Sequence, residues 1–345
     1  MEHMLNVQIA RNSQEDVQKQ KLKNSLEIIL MEVNGKLYDM IKEFIDGNES
    51  ADTNLTNDKM FAFPKRITDE NSNINAVGID LGTSRCCVAV NRKSGIETVG
   101  LENTGERLLP SYVAYDEDNT KCGQVVADRL RNYSKATVFD SKRMIGKSMV
   151  VIDKIWPFKV VNIDNQVMIK LETDRGEIQQ TAIQVASELL KYMKIKTEQF
   201  QGKRLSEVVI TVPAAFTTSQ EEATRAAAIL AGWETVTLLP EPIAASFAYF
   251  IDRPIPNNST LILFDLGGGT LDVCVFKIIN NRIQIISKNG DSRLGGRDFD
   301  NLLMDHFINK LSLDYDVNVR GNTKYKLLAE CQKIKHYLSV RNDEQ

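Results

Sequence analysis

The chain has 345 residues, a length typical of about two domains. With 42% hydrophobic and 26% charged residues, its composition is ordinary for a globular protein and excludes a wholly disordered or collagen-like chain. The 43 Lys and Arg residues against 46 Asp and Glu residues give a net charge of −3, so bulk electrostatics offers no reason to expect nucleic-acid binding.

Cysteine usage and the opening residues predict a reducing compartment, either cytoplasmic or nuclear. The five cysteines are odd in number and show no C-x-x-C spacing, which argues against a disulfide framework and a zinc site. No basic-then-apolar secretion signal opens the chain. Because no apolar run approaches the roughly 20 residues of a membrane span, we expect no membrane contact.

The first predicted element is an N-terminal extension. In residues 1–47 apolar side chains recur at steps of three or four, which predicts an amphipathic helical extension. Such a helix would cover apolar surface elsewhere in the chain or pair with itself. Residues 48–75 are rich in Asn, Asp, Ser and Thr and are expected to form a polar linker, with Phe61 and Phe63 packed locally.

From residue 76 onward, two segments share one plan. A strand over 76–80 leads into the Leu-Gly-Thr-Ser turn and a returning strand over 86–90. The same arrangement recurs over 260–278, and both copies contain Asp-Leu-Gly, beginning at Asp80 and Asp265, which are 265 − 80 = 185 residues apart. We interpret this as a duplicated unit, with two lobes whose glycine turns face each other across a cleft.

Strand and helix signals alternate between and after these copies. A strand is expected over 207–216 and a strand followed by a turn over 235–242, and helices are expected over 217–232, from 243, over 295–311 and over 324–339. Thr218 and Glu221 fit a capping box at the start of the first of these helices, and Gly232 fits the position after its end. This order of elements predicts an α/β fold.

The glycine turns have the composition of a phosphate-binding site. Gly267, Gly268 and Gly269 carry no side chains, so their backbone N–H groups can approach a polyanion. Asp80 and Asp265 each end a strand beside a turn, where a carboxylate can hold the water shell of Mg²⁺. Hydroxyls for phosphate oxygens are supplied by Thr83, Ser84 and Thr270. The alternative is a pair of ordinary β-hairpins.

An acidic residue follows the second turn directly. Asp272, two residues after Thr270, stands where a carboxylate can orient an attacking water beside a phosphate chain. The alternative is a solvent-facing residue of an alternating strand.

Seven motifs stand in an order and spacing that resembles the nucleotide-binding domain of the 70-kDa heat-shock chaperones (DnaK type). They are GIDLGT (78–83), FDSKRMIGKS (139–148), WPF (156–158), VVITVPAAFTTSQ (208–220), LPEPIAASFAYF (239–250), FDLGGGTLDV (264–273) and LGGRDFD (294–300). The resemblance covers about residues 76–340. It implies the duplicated actin-like, RNase H-like ATPase fold, with two lobes around a cleft that binds ATP or ADP with Mg²⁺. The same motifs argue against an actin-like polymer and a sugar kinase.

The resemblance also implies roles for single residues. Asp80 and Asp265 match the magnesium-site aspartates, and Lys142 matches the lysine that assists hydrolysis of ATP to ADP. Glu241 matches a glutamate near the magnesium waters. Phosphate contacts would come from Gly82, Thr83, Ser84, Gly267, Gly268, Gly269 and Thr270.

Other matched positions surround the reacting group and the adenosine. Thr270 and Asp272 match residues around the attacking water and the γ-phosphate. Pro213 matches the proline that relays nucleotide state between the lobes, and Lys335 and Ser339 match positions on the helix that contacts adenosine. The implied partners are co-chaperones of the J-domain or nucleotide-exchange type.

The sequence also departs from the family pattern. The departures are Arg85 for an aromatic residue, Glu221 for Arg, Phe250 for a small residue, Arg297 for an acid, Gln332 for Glu and His336 for Arg. The chain stops soon after residue 340, so we expect a first lobe over 76–254, an incomplete second lobe over 255–345 and no conventional peptide client site. The alternative function is a catalytically degenerate nucleotide domain that acts as a co-chaperone or partner-binding module.

Overall fold

The computed structural model describes residues 60–64, 76–92, 94–164 and 166–340. The helical extension predicted over 1–47 lies outside the described residues, as does most of the predicted linker. The described residues all belong to one compact unit.

The strands and helices of the described residues are numbered in chain order. The strands are β1 (Met60–Ala62), β2 (Val77–Asp80), β3 (Arg85–Arg92), β4 (Gly95–Thr98), β5 (Leu108–Pro110), β6 (Tyr112–Ala114), β7 (Lys121–Cys122), β8 (Thr137–Phe139), β9 (Lys159–Ile163), β10 (Gln166–Thr173), β11 (Gly176–Thr181), β12 (Glu207–Val212), β13 (Thr235–Pro240), β14 (Ser259–Leu266), β15 (Leu271–Ile279) and β16 (Arg282–Asp291). The α-helices are α1 (Gln124–Tyr133), α2 (Ala182–Gln201), α3 (Thr218–Leu230), α4 (Glu241–Tyr249), α5 (Gly296–Tyr315) and α6 (Thr323–Val340). Two short 3₁₀ helices cover Ser134–Ala136 and Ser141–Arg143.

A six-stranded mixed sheet contains the first glycine turn. Its order is β13-β12-β2-β3-β4, with β5 paired to β3. β12 runs parallel to both β2 and β13, and α3 makes the crossover between β12 and β13, as the predicted α/β order requires. The carboxyl ends of β2, β12 and β13 therefore meet at one edge of the sheet. The core of this sheet consists of alternating apolar residues such as Ile79, Val88 and Ile210, each at most 1% exposed.

A four-stranded antiparallel sheet contains the second glycine turn, in the order β1-β16-β15-β14. Two further three-stranded sheets, β7-β6-β8 and β11-β10-β9, complete the strand pairing of the described residues. No helix among the described residues is both long enough and apolar enough to cross a membrane.

The predicted duplication is confirmed in the pairing register of the two hairpins. Asp80 lies opposite Cys87 in the β2–β3 pair, and Asp265 lies opposite Asp272 in the β14–β15 pair. Each aspartate thus faces the residue seven positions later, and the Leu-Gly turn lies between the two strands. The half-buried thiol of Cys87 is the structural counterpart of the Asp272 carboxylate.

Three details of the prediction are wrong. The strand expected to run through 216 ends at Val212, because Pro213 has no N–H with which to continue the pairing. The capping box uses Thr217 and Gln220, one residue earlier than expected, because Thr217 has the extended backbone of an N-cap. Within the segment expected to be a linker, residues 60–62 form β1.

Candidate functional site

The two glycine turns touch each other. A Cβ atom added to Gly269 would lie 2.7 Å from Thr83 Cγ2 and 2.9 Å from Thr83 Oγ1, and one added to Gly268 would collide with the Ser84 side chain. Real Cβ contacts are not this short, so the approach of the turns requires glycine at both positions. The predicted facing of the two turns is therefore confirmed.

The start of α5 is hydrogen-bonded to the backbone of the second turn. The Gly296 N–H donates to the Gly267 carbonyl at 3.0 Å, and the Arg297 N–H donates to the Gly268 carbonyl at 2.8 Å. Among the described residues, the Gly268 and Gly269 N–H groups donate no backbone hydrogen bond. These two amides are the donors that an anionic ligand would satisfy.

Carboxylates crowd beside the turns. Asp265 and Asp272 are cross-strand neighbours, and Asp272 is only 5% exposed. Burial raises the pKa of Asp265, and the charge of Asp80 raises it further. Burial also raises the pKa of Asp272, although its hydrogen bond with the Thr270 side chain opposes the shift. The repulsion among these carboxylates would be relieved by a cation.

Lys142 enters this cluster from the 3₁₀ helix Ser141–Arg143. Its Nζ donates to Glu241 Oε1 at 2.6 Å, and both side chains are at most 15% exposed. Burial opposes the lysine charge, but the Glu241 and Asp80 carboxylates outweigh it and raise the pKa of Lys142. Burial raises the pKa of Glu241 in spite of the lysine. Lys142 therefore stays protonated beside the first turn, with Glu241 as its counter-charge.

The carboxyl ends of three strands place the remaining predicted residues of the first sheet. Asp80 ends β2, Pro213 follows β12, and Glu241 follows β13. Because Val212 lies opposite Pro240 in the parallel pair, Pro213 and Glu241 leave the same edge of the sheet side by side. Ligands of open α/β sheets bind at such an edge.

The site suits a hydrated cation better than a directly bound one. Among the described residues, no three His, Cys, Asp or Glu side chains lie close enough together to hold a metal ion. Mg²⁺ usually keeps several waters and takes only one or two protein carboxylates. Burial and the charge of Asp80 raise the pKa of Asp265 in spite of the opposing charge of Lys142, which fits an ion held through water by Asp80 and Asp265.

A buried ion pair fixes the turn that carries Lys142. Asp140, fully buried and in the left-handed conformation with φ 58°, accepts from Arg297 Nε at 3.2 Å and Nη2 at 3.0 Å. Its second oxygen accepts from Trp156 Nε1 at 3.1 Å. Burial opposes the guanidinium charge, but Asp140, Tyr112 and Asp300 outweigh it and raise the pKa of Arg297. The departure of Arg297 from the family pattern is thus matched by a buried acid.

A second pair ties the same turn to α5. Arg143 Nη2 donates to Asp298 Oδ2 at 2.8 Å and to the Gly269 carbonyl at 3.2 Å. Neither Arg143 nor Asp298 was among the site residues predicted from the sequence. The signal was present, because the FDSKR and GGRDFD motifs each contain an acid and an arginine that meet across the site.

The polar side chains of α6 turn toward α5. Lys335 Nζ donates to Asp300 Oδ1 at 2.5 Å and to the Gly296 carbonyl at 2.9 Å, and Gln332 Nε2 donates to Asp300 Oδ2 at 3.1 Å. Burial lowers the pKa of His336, as do the charges of Lys335 and Arg85.

Of the predicted adenosine contacts, Lys335 lies next to the second turn. A Cβ atom on Gly296, which follows that turn in space, would lie 3.3 Å from Lys335 Nζ. Ser339 lies in α6, and its side chain falls outside the described residues.

Comparison with known proteins agrees with this geometry. The family model described as "Hsp70 protein" matches residues 76–345. The chain is 36% identical over 272 residues to a heat shock 70 kDa protein of Emericella nidulans, covering 76% of this chain and 42% of that protein. It is 34% identical over 271 residues to heat shock 70 kDa protein 2 of Paracoccidioides lutzii, covering 76% and 41%. A heat shock 70 kDa protein of Neurospora crassa is 35% identical over 272 residues, covering 76% and 42%.

The chain thus spans about two fifths of the length of the curated relatives it matches. The matched part contains both glycine turns, the Lys142–Glu241 pair and α6. The implied fold is the actin-like ATPase fold, and the implied ligand class is a nucleotide with Mg²⁺.

Proposed function

The chain belongs to the Hsp70 family, and on this premise we propose that it binds Mg-ATP at the paired glycine turns and hydrolyses it to ADP. One observation supports this proposal above the others. The second turn supplies the amides of Gly268 and Gly269 and the crowded Asp265 carboxylate, and the distant 3₁₀ helix Ser141–Arg143 brings the Lys142 ammonium close enough to act on Asp265, beside the contact between the turns.

In this proposal, the turns bind the phosphate chain. The amides of Gly268 and Gly269 donate to phosphate oxygens, and Gly82, Thr83, Ser84 and Gly267 complete the cradle. Asp80 and Asp265 hold the waters of the magnesium ion. When bound, Mg²⁺ neutralises charge that develops on the phosphate oxygens.

Residues on the second hairpin and on the Lys142 turn carry out the hydrolysis step. Asp272 Oδ, aided by Thr270, orients the attacking water and accepts its proton. Burial raises the pKa of Asp272, which makes its carboxylate a stronger base. Lys142 Nζ stabilises the negative charge on the transferred phosphoryl group, and Glu241 holds the lysine in place.

The remaining roles follow the family. Lys335 and Ser339 on α6 face the adenosine, and Pro213 relays nucleotide state between a first lobe over 76–254 and a second lobe over 255–345. The partners are co-chaperones of the J-domain or nucleotide-exchange type, in the cytoplasm or nucleus.

A second candidate is a nucleotide domain that has lost catalysis and serves as a partner-binding module. One observation favours it. Asp300 already engages Lys335 and Gln332, two polar side chains on the helix expected to face adenosine. A nucleotide would compete with this internal network.

Phosphate release under single-turnover conditions separates the two candidates. Hydrolysis should fall by about 10²–10⁴-fold in Asp272→Asn, because the base is removed. It should also fall in Lys142→Ala but not in Lys135→Ala, which removes an exposed lysine paired with Glu172. Nucleotide binding without hydrolysis in the wild-type chain would exclude the ATPase proposal and leave the binding module.

A further inference from the structure

A cation that the family pattern lacks lies beside the paired glycine turns. We infer that Arg85 on β3 and His336 on α6 bind the phosphate chain of the ligand from outside the glycine cradle. The ligand class is a polyphosphate chain, with ADP and inorganic tripolyphosphate as its two representatives. This inference rests on the proposed nucleotide site and adds to it Arg85, which stands where the family has an aromatic side chain.

The start of β3 places Arg85 at the contact between the turns. Arg85 directly follows Ser84, whose side chain would collide with a Cβ atom on Gly268. Because side chains alternate along a strand, Arg85 lies on the opposite face of β3 from Cys86, which is fully buried. Arg85 is accordingly exposed, one residue away from a contact between the two turns.

Helix α6 reaches the same turn through Gly296. A Cβ atom on Gly296 would lie 3.7 Å from Gly268 Cα and 3.3 Å from Lys335 Nζ. His336 follows Lys335 in α6. Burial lowers the pKa of the His336 imidazole, and the charges of Lys335 and Arg85 lower it further. Arg85 and His336 are therefore neighbours in space, although they come from different segments.

Neither side chain is engaged by the rest of the described protein. Within the parts of the chain that the structure describes, the Arg85 guanidinium and the His336 imidazole make no hydrogen bond or ion pair. Asp300, the acid whose charge acts on His336, already accepts from Lys335 Nζ at 2.5 Å. An anionic ligand would supply the missing counter-charge, and the planar guanidinium of arginine matches two phosphate oxygens at once.

Phosphate binding by Arg85 is mainly electrostatic, which gives it a measurable signature. The attraction depends on the charge of the side chain, so lysine at this position should preserve much of it. Because Arg85 is exposed, salt should screen the attraction, since the Debye length falls from about 10 Å at 0.1 M salt to about 3 Å at 1 M. A purely structural role for Arg85 predicts neither effect.

Titration calorimetry of the full chain with two ligands tests this inference. The probes are ADP and inorganic tripolyphosphate, each with Mg²⁺, in low and in high salt. The test variant is Arg85→Gln, and Arg85→Lys is the rescue. The matched control is Arg92→Gln, which removes an exposed arginine at the far end of the same strand. Arg92 lies seven residues along β3, about 23 Å away.

Arg85→Gln should bind both ligands at least about tenfold more weakly than the wild type in low salt. Arg85→Lys should recover at least about half of this loss on a logarithmic scale, and Arg92→Gln should bind like the wild type. In high salt the difference between the wild type and Arg85→Gln should shrink by at least about threefold.

Equal binding of both ligands by the wild type and Arg85→Gln would overturn the inference and leave the nucleotide site intact. So would a loss that lysine does not rescue, or a wild-type chain that binds ADP but not tripolyphosphate. A folded wild-type chain that binds neither ligand would instead refute the proposed nucleotide site, and the inference with it.

NMR of the ligand-free chain tests the placement of the two side chains without any nucleotide. The charged groups that act on His336 are Lys335 on its own helix, Arg85 on β3 and Asp300 on α5. Since the charge of Arg85 helps to lower the pKa of His336, Arg85→Gln should raise that pKa, and Arg92→Gln should not change it. The His336 signal is assigned by its loss in His336→Gln. An unchanged pKa of His336 in Arg85→Gln would contradict the inference.

Discussion

The buried Arg297 links the Lys142 turn to α5, and its removal is the most demanding test of that link. Arg297 is 1% exposed and donates twice to Asp140, which is fully buried. In Arg297→Met, Asp140 keeps one side-chain donor, Trp156, and its charge loses its close partner. Removing one member of a buried ion pair destabilises a protein by about 3–5 kcal/mol, because the other charge is left uncompensated.

Urea unfolding followed by circular dichroism measures this loss. At a slope of about 3 kcal/mol per molar urea, the midpoint should fall by about 1 M or more. The matched control is Arg293→Met, which changes an exposed arginine in the preceding loop and should alter stability by less than about 0.5 kcal/mol.

A double-mutant cycle separates the ion pair from packing. Asn tolerates the left-handed conformation of Asp140, so Asp140→Asn removes the charge without backbone strain. In the cycle, Asp140→Asn combined with Arg297→Met should be less destabilising than the sum of the single changes, by about 1–3 kcal/mol. A loss below about 1 kcal/mol for Arg297→Met, or full additivity of the two changes, would refute the reasoning.

Three further predictions concern the site itself. Burial lowers the pKa of His336, and the charges of Lys335 and Arg85 lower it further. A bound polyanion should raise this pKa, so the protonated imidazole should strengthen ADP binding as the pH falls from 7.5 to 5.5. Titration calorimetry should show a larger gain in ADP affinity at low pH for the wild type than for His336→Gln, because titration of the ADP phosphates is common to both. The pKa of Asp265 is raised in the folded state, so protonation of this carboxyl favours folding at low pH. This contribution to the free energy of unfolding is lost as the pH rises through the folded-state pKa. Millimolar Mg²⁺ should therefore stabilise the chain by about 1 kcal/mol at pH 7 and less at pH 4.5, and Asp265→Asn should remove the difference in thermal scans. Gly269→Ala should destabilise the fold by about 1–3 kcal/mol in urea, because its Cβ would meet Thr83, whereas Gly78→Ala, with open space around the added atom, should change little. Equal effects of these two alanines would contradict the described contact between the turns.

The hairpins and their turns could be predicted because their signals are local. Asp-Leu-Gly between two apolar runs specifies a strand, a turn and a returning strand within about twenty residues. Recognising the same plan at Asp80 and Asp265 then predicted that the turns face each other. The register, with each aspartate opposite the residue seven positions later, follows from the same short segments.

The supporting ion pairs could not be predicted from local patterns. Asp140 and Arg297 are 157 positions apart, and either residue alone resembles an ordinary surface charge in the sequence. Only the folded chain shows that both are buried. The charge of Arg297 was noticed as a departure, but its partner depends on how α5 packs against the 3₁₀ turn.

The composition of the surrounding segment did not predict strand β1. Met60 and the three residues after it are apolar, but their neighbours are rich in Asn, Asp and Thr, and the segment as a whole predicts a linker. The strand forms because its backbone pairs with the edge of β16 and because the Phe63 ring packs against the ring of Phe250. A short apolar run within a polar segment thus indicates that the run packs against another part of the chain.

Calorimetric titration of the full chain with Mg-ADP tests the central claim most directly. The matched variants are Asp265→Ala, which removes the second-turn carboxylate, and Asp252→Ala, which removes an exposed acid. We expect micromolar or tighter binding, about −8 kcal/mol, to the wild type and to Asp252→Ala, and loss of binding in Asp265→Ala. No detectable binding to a folded wild-type chain would contradict the assignment of the paired glycine turns as a nucleotide site.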